Sequence, residues 1–246
     1  MGYWGVVLNN LKNADIILLI LDARVPEETR NKEIEKKAEI SRTEIIYVFN
    51  KSDLVNKKTL GELKKKNPNS FFTNSNKIGT LLPIKKYLNE MAVDRQKALR
   101  VAVLGYPNVG KSSILNKLTS SKEKVSRVSG TTKRTKWVRV GNVRYMDTPG
   151  VIPRKDSRAS VGLTSSKDIY KIEHPEKIAL KLINKIRTTN SLNDKYGVKI
   201  SKEDSDYDIF LKIGAEKKHM IKGGEVDEDK TARLIVGDWQ KGKLKV

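Results

Sequence analysis

The residues with the plainest chemical purpose are Gly105-Tyr106-Pro107-Asn108-Val109-Gly110-Lys111-Ser112. Their G-x4-G-K-S spacing is that of a phosphate-cradling loop, in which glycines let successive backbone N–H groups turn toward one anion at a helix N-terminus. The flanks agree. Residues 101–104 form an apolar, strand-like run, and Ser112-Ser113-Ile114-Leu115 opens a helical pattern. In such a loop Val109, Gly110, Lys111, Ser112 and Ser113 surround the phosphates. Lys111 neutralises the β/γ oxygens and the Ser112 hydroxyl ligates Mg²⁺. The bland alternative is a chance glycine turn between a strand and a helix.

Asn50-Lys51-Ser52-Asp53 closes the apolar run of residues 45–49. A carboxylate at Asp53 accepts from both the N1–H and the 2-amino group of guanine, whereas adenine offers an acceptor at N1 and leaves it unpaired. The Lys51 stem can cover the base face. Asn50 either reaches the base N7 or braces the phosphate loop. The alternative here is an Asn-Lys turn capped by Asp53. Asn74-Ser75-Asn76-Lys77 follows Phe71-Phe72, where guanine-binding proteins carry S-A-K, with Asn76 in place of the alanine. Asp147-Thr148-Pro149-Gly150 fits D-x-x-G: Asp147 would hold Mg²⁺ through water, and the Gly150 N–H would meet the γ-phosphate. Between the phosphate loop and Asp147 lies Gly130-Thr131-Thr132-Lys133. Thr132 is the expected switch threonine and a Mg²⁺ ligand, with Thr131 its neighbour and competitor. GTP or GDP with Mg²⁺ is the expected ligand set.

The elements that must hold these groups are legible as alternation. Short apolar runs at residues 16–21, 45–49, 70–72, 101–104, 137–140 and 143–146 read as buried strands of a mainly parallel sheet. Residues 31–41, 57–66, 81–93 and 112–119 read as crossover helices, and Gly141-Asn142 as a hairpin turn giving one antiparallel pair. The expected fold is α/β, a doubly wound P-loop sheet. Each motif then falls at a strand end, on the edge where such sheets bind ligands. After Gly150 the pattern changes. The expected division is a nucleotide domain at 1–152, a linker at 153–164 and a small, mainly helical domain at 165–246, with Pro175 at a first helical position.

Composition bounds the remainder. There are no cysteines and only two histidines, which excludes disulfides and cysteine- or histidine-built metal cages. No apolar run approaches the length of a membrane span, and no signal-peptide pattern is seen, so a cytoplasmic protein away from membranes is expected. The net charge is +21, from 50 basic and 29 acidic residues. Residues 111–144 hold ten basic residues with Glu123 the lone acid. Such a surplus favours a polyanion through counterion release. A lysine-rich solvated surface, as in heat-adapted proteins, is the alternative. A basic membrane patch ranks third, because no amphipathic anchor accompanies it.

The order of the motifs carries a second message. Ras-like GTPases run from P-loop through D-x-x-G to N-K-x-D; here N-K-S-D and N-S-N-K come first, and residues 93–100 must rejoin the cut chain. This circular permutation, with Asp22-Ala23-Arg24 at the end of the first strand, resembles the YlqF/YawG family of permuted, RbgA-like ribosome-assembly GTPases. The resemblance extends through Lys222-Gly223-Gly224-Glu225-Val226-Asp227 and Asp238-Trp239-Gln240-Lys241-Gly242-Lys243. It implies a GTPase that contacts rRNA of the large ribosomal subunit, with the C-terminal domain as the expected contact. A nucleotide-gated switch with protein partners, action on the small subunit or tRNA, and an RNA-binding module with a vestigial site are the competing readings. A monomer is the default.

The group that positions the attacking water is the gap. Val151 stands where Ras-like enzymes have glutamine, a hydrophobic replacement that the family resembled here shares. Bacterial relatives supply an N-terminal histidine, and this sequence has none before His174. His174 and His219 read as structural or surface residues. Asn108 offers another route, since the loop resembles those of GTPases that recruit K⁺ beside the β/γ-phosphates; tolerance of the loop's backbone by asparagine is the alternative. Slow turnover without a partner follows.

Overall fold

A computed structural model describes residues 13–119, 126–127, 136–147, 163–164 and 168–246. The chain forms two compact units. The first comprises Met1–Asp53 and Gly61–Lys155, the second Leu54–Leu60 and Asp156–Val246.

The first unit is built on a seven-stranded sheet. Its strands are β1 (Ile16–Asp22), β2 (Glu44–Asn50), β3 (Phe71–Phe72), β4 (Leu99–Gly105), β5 (Ser126–Arg127), β6 (Lys136–Val140) and β7 (Val143–Asp147), in the order β3-β2-β1-β4-β7-β6-β5. β1, β2, β3, β4 and β7 run parallel, and β6 joins β7 antiparallel across Gly141-Asn142. Gly141 sits at φ 56, a left-handed conformation that glycine adopts without penalty. β1 has all seven residues buried, as expected of a central parallel strand.

The crossover helices are α1 (Lys32–Ser41), α2 (Lys57–Lys66), α3 (Leu82–Ala92) and α4 (Lys111–Thr119). Asn31 begins the first as its cap, its side chain accepting from the N–H groups of Glu33 and Ile34. Ile84, Leu88 and Ala92 of α3 and Ile114, Leu115 and Leu118 of α4 pack with Leu99, Val101, Val103, Val143 and Tyr145 into one core cluster. Strand side chains alternate, so Ala102, Leu104 and Met146 belong to the other face. Ile34 and Ala38 of α1 are buried outside that cluster. The sheet is doubly wound, as the sequence predicts.

The rejoined segment is held at both ends. Arg100 and Asp15 exchange backbone and side-chain hydrogen bonds, the Asp15 N–H to the Arg100 carbonyl at 2.8 Å and the Arg100 N–H to Asp15 Oδ2 at 2.8 Å. Asn142 Nδ2 donates to the carbonyls of Ala92 and Arg95, at 2.7 and 3.2 Å. The hairpin turn thus clips the chain that leads from α3 into β4.

The second unit centres on α5 (Pro175–Ile186), α6 (Ser191–Tyr196), α7 (Asp206–Glu216) and α8 (Glu228–Gln240). Ile178, Leu182, Ile183 and Ile186 of α5 are buried with Ile209, Phe210 and Ile213 of α7 and Ala232, Ile235, Val236 and Trp239 of α8. Each helix repeats its apolar residues three and four apart, the period that puts them on one face. A reciprocal Ser205–Asp208 capping box opens α7, and Asp227 caps α8. The fully buried Trp239 donates its indole N–H to the Leu163 carbonyl at 2.9 Å. Leu54–Leu60 joins this unit through Val246, which exchanges backbone hydrogen bonds with Asn56 (2.6 Å) and Leu54 (2.9 Å).

Candidate nucleotide site

The C-terminal ends of five parallel strands carry the chemistry: Asp22 on β1, Asn50 on β2, Thr73 just past β3, Gly105 on β4 and Asp147 on β7. Register brings them side by side. Asp22 pairs with Asn50, Ile20 with Gly105, and Val103 with Asp147.

The P-loop leaves β4 through Gly105 at φ 148, where a Cβ would lie 2.4 Å from the Ile20 carbonyl oxygen of the adjoining strand. Asn108 adopts φ 60 and Gly110 φ 101, so the loop turns left-handed twice within three residues. Asparagine is one of the few side chains that tolerate this conformation, which accounts for Asn108 without any ligand. Lys111 starts α4 and curls back, its Nζ 2.5 Å from the Tyr106 carbonyl oxygen. Ser112 and Ser113 are exposed on the first turn, and the first intrahelical bond runs from the Ile114 N–H to the Gly110 carbonyl. The N–H groups before it have no helical acceptor, which is the condition for binding an anion.

Asn50 ties three loops together. Its Nδ2 donates to the Val109 carbonyl (2.7 Å) and to Ser75 Oγ (3.3 Å), while its Oδ1 accepts from the Ser75 N–H (2.9 Å) and Thr73 Oγ1 (3.3 Å). Both amide donors and both lone pairs are committed, and the side chain is fully buried. Of the two roles open to Asn50, the geometry selects bracing the P-loop. Asp53, by contrast, is exposed and makes no hydrogen bond or ion pair among the described residues. Its carboxylate is available for two donors.

The N-S-N-K loop is shaped by its own polar side chains. Asn74 Oδ1 accepts from the Asn76 N–H at 2.8 Å, and Thr80 Oγ1 both receives the Asn74 N–H (3.0 Å) and donates to its carbonyl (2.9 Å). Phe49 on β2 and Phe72 on β3 stack with ring centroids 4.8 Å apart. Asn76 fits because this turn uses its backbone N–H and asks nothing of its side chain.

Sequence reasoning assigned no role to Asp22 and Arg24, and the structure supplies one. Arg24 donates Nε and Nη2 to the two Asp22 oxygens at 3.0 and 2.8 Å, and Lys51 Nζ reaches Asp22 Oδ2 at 2.9 Å. Thr29 Oγ1 accepts the Asp22 N–H, and the Ala23 N–H donates to the Asn50 carbonyl. Burial pushes the Asp22 carboxyl up, but the hydrogen bonds and charge of Arg24, aided by Lys51, outweigh it and hold the pKa at about 2. Burial lowers the Lys51 ammonium despite its partner. Lys51 itself stands at φ 59. The D-A-R triplet therefore anchors the lysine of the N-K-S-D motif. The signal was present as an acid and a base at the end of the strand next to that motif.

Asp147 is placed at the end of β7 beside the P-loop strand. Thr131, Thr132, Thr148, Pro149, Gly150 and Val151 lie outside the described residues, as does nearly all of the expected linker. Among the described residues no group of three acids or histidines could cage a metal, and no helix is long and apolar enough to cross a membrane. His174 is exposed at the start of α5 near Glu176, and His219 Nδ1 lies 3.2 Å from Thr231 Oγ1.

Comparison with known proteins agrees with this geometry. The model of the RsgA GTPase family matches residues 8–153, and that of a 50S ribosome-binding GTPase family matches residues 100–220. A structure of YlqF from T. maritima with bound GNP superposes at a TM-score of 0.64 with 24% identity, over 96% of this chain and 92% of that one. A GDP-bound YlqF structure gives 0.67 with 25% identity, over 96% and 94%.

The chain belongs to the circularly permuted P-loop GTPases of the YlqF/YawG family.

Among curated proteins it is 39% identical to a GTP-binding protein of Methanocaldococcus jannaschii, over 97% of this chain and 65% of that protein. It is 30% identical to nucleolar GTP-binding protein 2 of Saccharomyces cerevisiae, over 98% of this chain and 52% of that protein. The chain spans between about two fifths and two thirds of the length of the curated relatives it matches.

Proposed function

We propose that this chain binds GTP with Mg²⁺, hydrolyses it slowly when alone, and acts in assembly of the large ribosomal subunit through contact with rRNA. The observation that carries the guanine reading is Asn50. One buried amide locks the P-loop, the N-K-S-D turn and the N-S-N-K turn together while Asp53 stays exposed. That arrangement supports a phosphate cradle and a purine-reading carboxylate held in mutual register.

In this reading the first-turn N–H groups of α4 and the Lys111 ammonium receive the β- and γ-phosphates. Lys111 would exchange its Tyr106 carbonyl partner for phosphate oxygens. Ser112 and Thr132 would hold Mg²⁺ directly and Asp147 through water, and Mg²⁺ when bound neutralises charge on the bridging phosphates. The Gly150 N–H would face the γ-phosphate. Asn108 is the proposed K⁺ contact.

The ribosomal reading is supported by the 50S ribosome-binding family match, by the nucleolar relatives and by the charge of +21. The cytoplasm is the proposed compartment and a monomer the proposed state. The helical unit, residues 165–246 of the expected division, is the proposed principal contact.

Binding and pelleting test both halves together. GDP affinity should fall at least a hundredfold in Asp53→Asn, with xanthosine diphosphate gaining, because the amide can donate to the 2-oxo group that replaces the 2-amino. Wild type should pellet with large subunits under a non-hydrolysable GTP analogue and less under GDP. Unchanged base preference would sink the guanine assignment. Equal pelleting with small subunits would sink the large-subunit one.

A further inference from the structure

The end of the sheet opposite the nucleotide site carries an unusual row. Arg100 on β4 pairs in register with Arg144 on β7, and Arg144 pairs with Arg139 on β6. Cross-strand partners project to the same face, so three arginines stand side by side across three adjacent strands, each about 5 Å from the next. Leu99, Val101, Val143 and Tyr145 belong to the core cluster, so the arginines point to the other face. Asp147 lies three residues beyond Arg144 and Gly105 five beyond Arg100, which puts the row roughly 10–17 Å from the nucleotide edge.

Like charges directly opposite one another destabilise a sheet, and among the described residues only Arg100 of this row has a counter-charge. Asp15 binds Arg100 at 3.0 Å and is already shared with Arg95 at 3.4 Å. Arg139 donates to a neutral carbonyl, that of Gly141. Arg139 and Arg144 are both exposed, and among the described residues neither pairs with a carboxylate. Asp94 and Lys97 are both exposed in the rejoined segment. Half-buried Trp137 lies two residues from Arg139 on the same face, paired with Met146.

We infer that Arg139 and Arg144, flanked by Arg100, form an RNA-backbone-binding surface on the nucleotide-binding unit itself. Guanidinium forks match phosphate oxygens two at a time, and strands hold them at fixed spacing, so a phosphodiester backbone supplies the charge the row lacks. The neighbouring indole offers a stacking edge for a base. The inference rests on the RNA-contact reading above but assigns a site apart from the helical unit.

The test is fluorescence anisotropy of a labelled single-stranded oligoribonucleotide with the full GDP-loaded chain across a KCl series. In Arg139→Ser/Arg144→Ser the slope of log K against log salt should become shallower by about 1.4, with roughly tenfold or greater loss of affinity at low salt. GDP affinity and the melting midpoint should hold, showing an intact fold, and Arg139→Lys/Arg144→Lys should keep most of the slope. A variant slope equal to wild type overturns the row alone. Wild type without salt-sensitive RNA binding overturns the RNA reading and the row with it. Polyglutamate bound as tightly as RNA, with the same arginine dependence, would reassign the surface to acidic protein.

Discussion

Asp22 gathers two cations in a place almost without water. Its carboxyl has a pKa of about 2 in the folded chain against 3.8 unfolded. A depressed carboxyl pKa stabilises the fold above the unfolded value and loses that contribution as pH falls through the folded one, here between about pH 4 and 2. The shift corresponds to about 2 kcal/mol. Asp22→Asn removes the charge and leaves Arg24 and Lys51 buried together, a change that costs about 3–5 kcal/mol. The melting midpoint at pH 7 should drop by roughly 10 °C, and the variant should lose the acid sensitivity between pH 4 and 2. GDP binding should weaken as well, because Lys51 loses its anchor. A midpoint within a degree or two of wild type would mean that the triad does not hold this edge. Asn108 belongs to the same scale. If it contacts a monovalent cation, GTP turnover should be faster in KCl than in NaCl at matched ionic strength; equal rates would leave only its left-handed backbone as the reason for asparagine. Asn50, Asp53 and Lys111 were readable from spacing because each lies within a contiguous motif. The Asp22–Lys51 contact was not, since it joins residues 29 apart through the β1–β2 register.

Among the elements, β1, β2, β3, β4, β6 and β7 could be read from apolar runs, and α2 from its spacing even though it buries none of its residues. β5 could not. Ser126–Arg127 pairs with β6 alone and has no apolar pattern, as suits a short edge strand. The glycines at the strand–loop junctions give the element scale its predictions. Gly105→Ala would drive a Cβ into the Ile20 backbone carbonyl, at a φ that L-residues rarely adopt, and a strand cannot yield as a side chain can. Loss of soluble, cooperatively melting protein is expected. Gly110→Ala is strained too, at φ 101, but it meets a side chain rather than a strand backbone, the Asn50 amide at 2.2 Å. Asn50 can swing away, giving up its Val109 and Ser75 bonds, so folding should survive while GDP affinity falls by about two orders of magnitude. Calorimetric melting and titration with a fluorescent GDP separate the two outcomes. Equal damage to stability from both substitutions would contradict the distinction between backbone and side-chain obstruction.

For the whole molecule the permutation is what matters, and it was legible because motif order survives any uncertainty about element ends. The grouping of Leu54–Leu60 with the helical unit was not legible, since it depends on hydrogen bonds between the start of that segment and Val246, nearly two hundred residues away. In an unpermuted GTPase the D-x-x-G switch lies mid-domain, with more of the nucleotide fold after it. Here Asp147 ends the last strand of the sheet, and the chain continues from Gly150 through residues 151–162 into the unit that Trp239 and α5 organise. If a γ-phosphate draws Gly150 toward itself, the pull meets that connection next, since among the described residues no further strand of the sheet follows Asp147. Arg154, Lys155 and Arg158 provide tryptic sites in it. Cleavage there should be slower with a non-hydrolysable GTP analogue than with GDP, by severalfold at equal occupancy, while cleavage at Lys217 and Lys218 on the far side of α7 should be unchanged and serve as the internal reference. Equal rates at all these sites in the two nucleotide states would leave the second unit uncoupled from the switch and the permuted order without mechanical consequence.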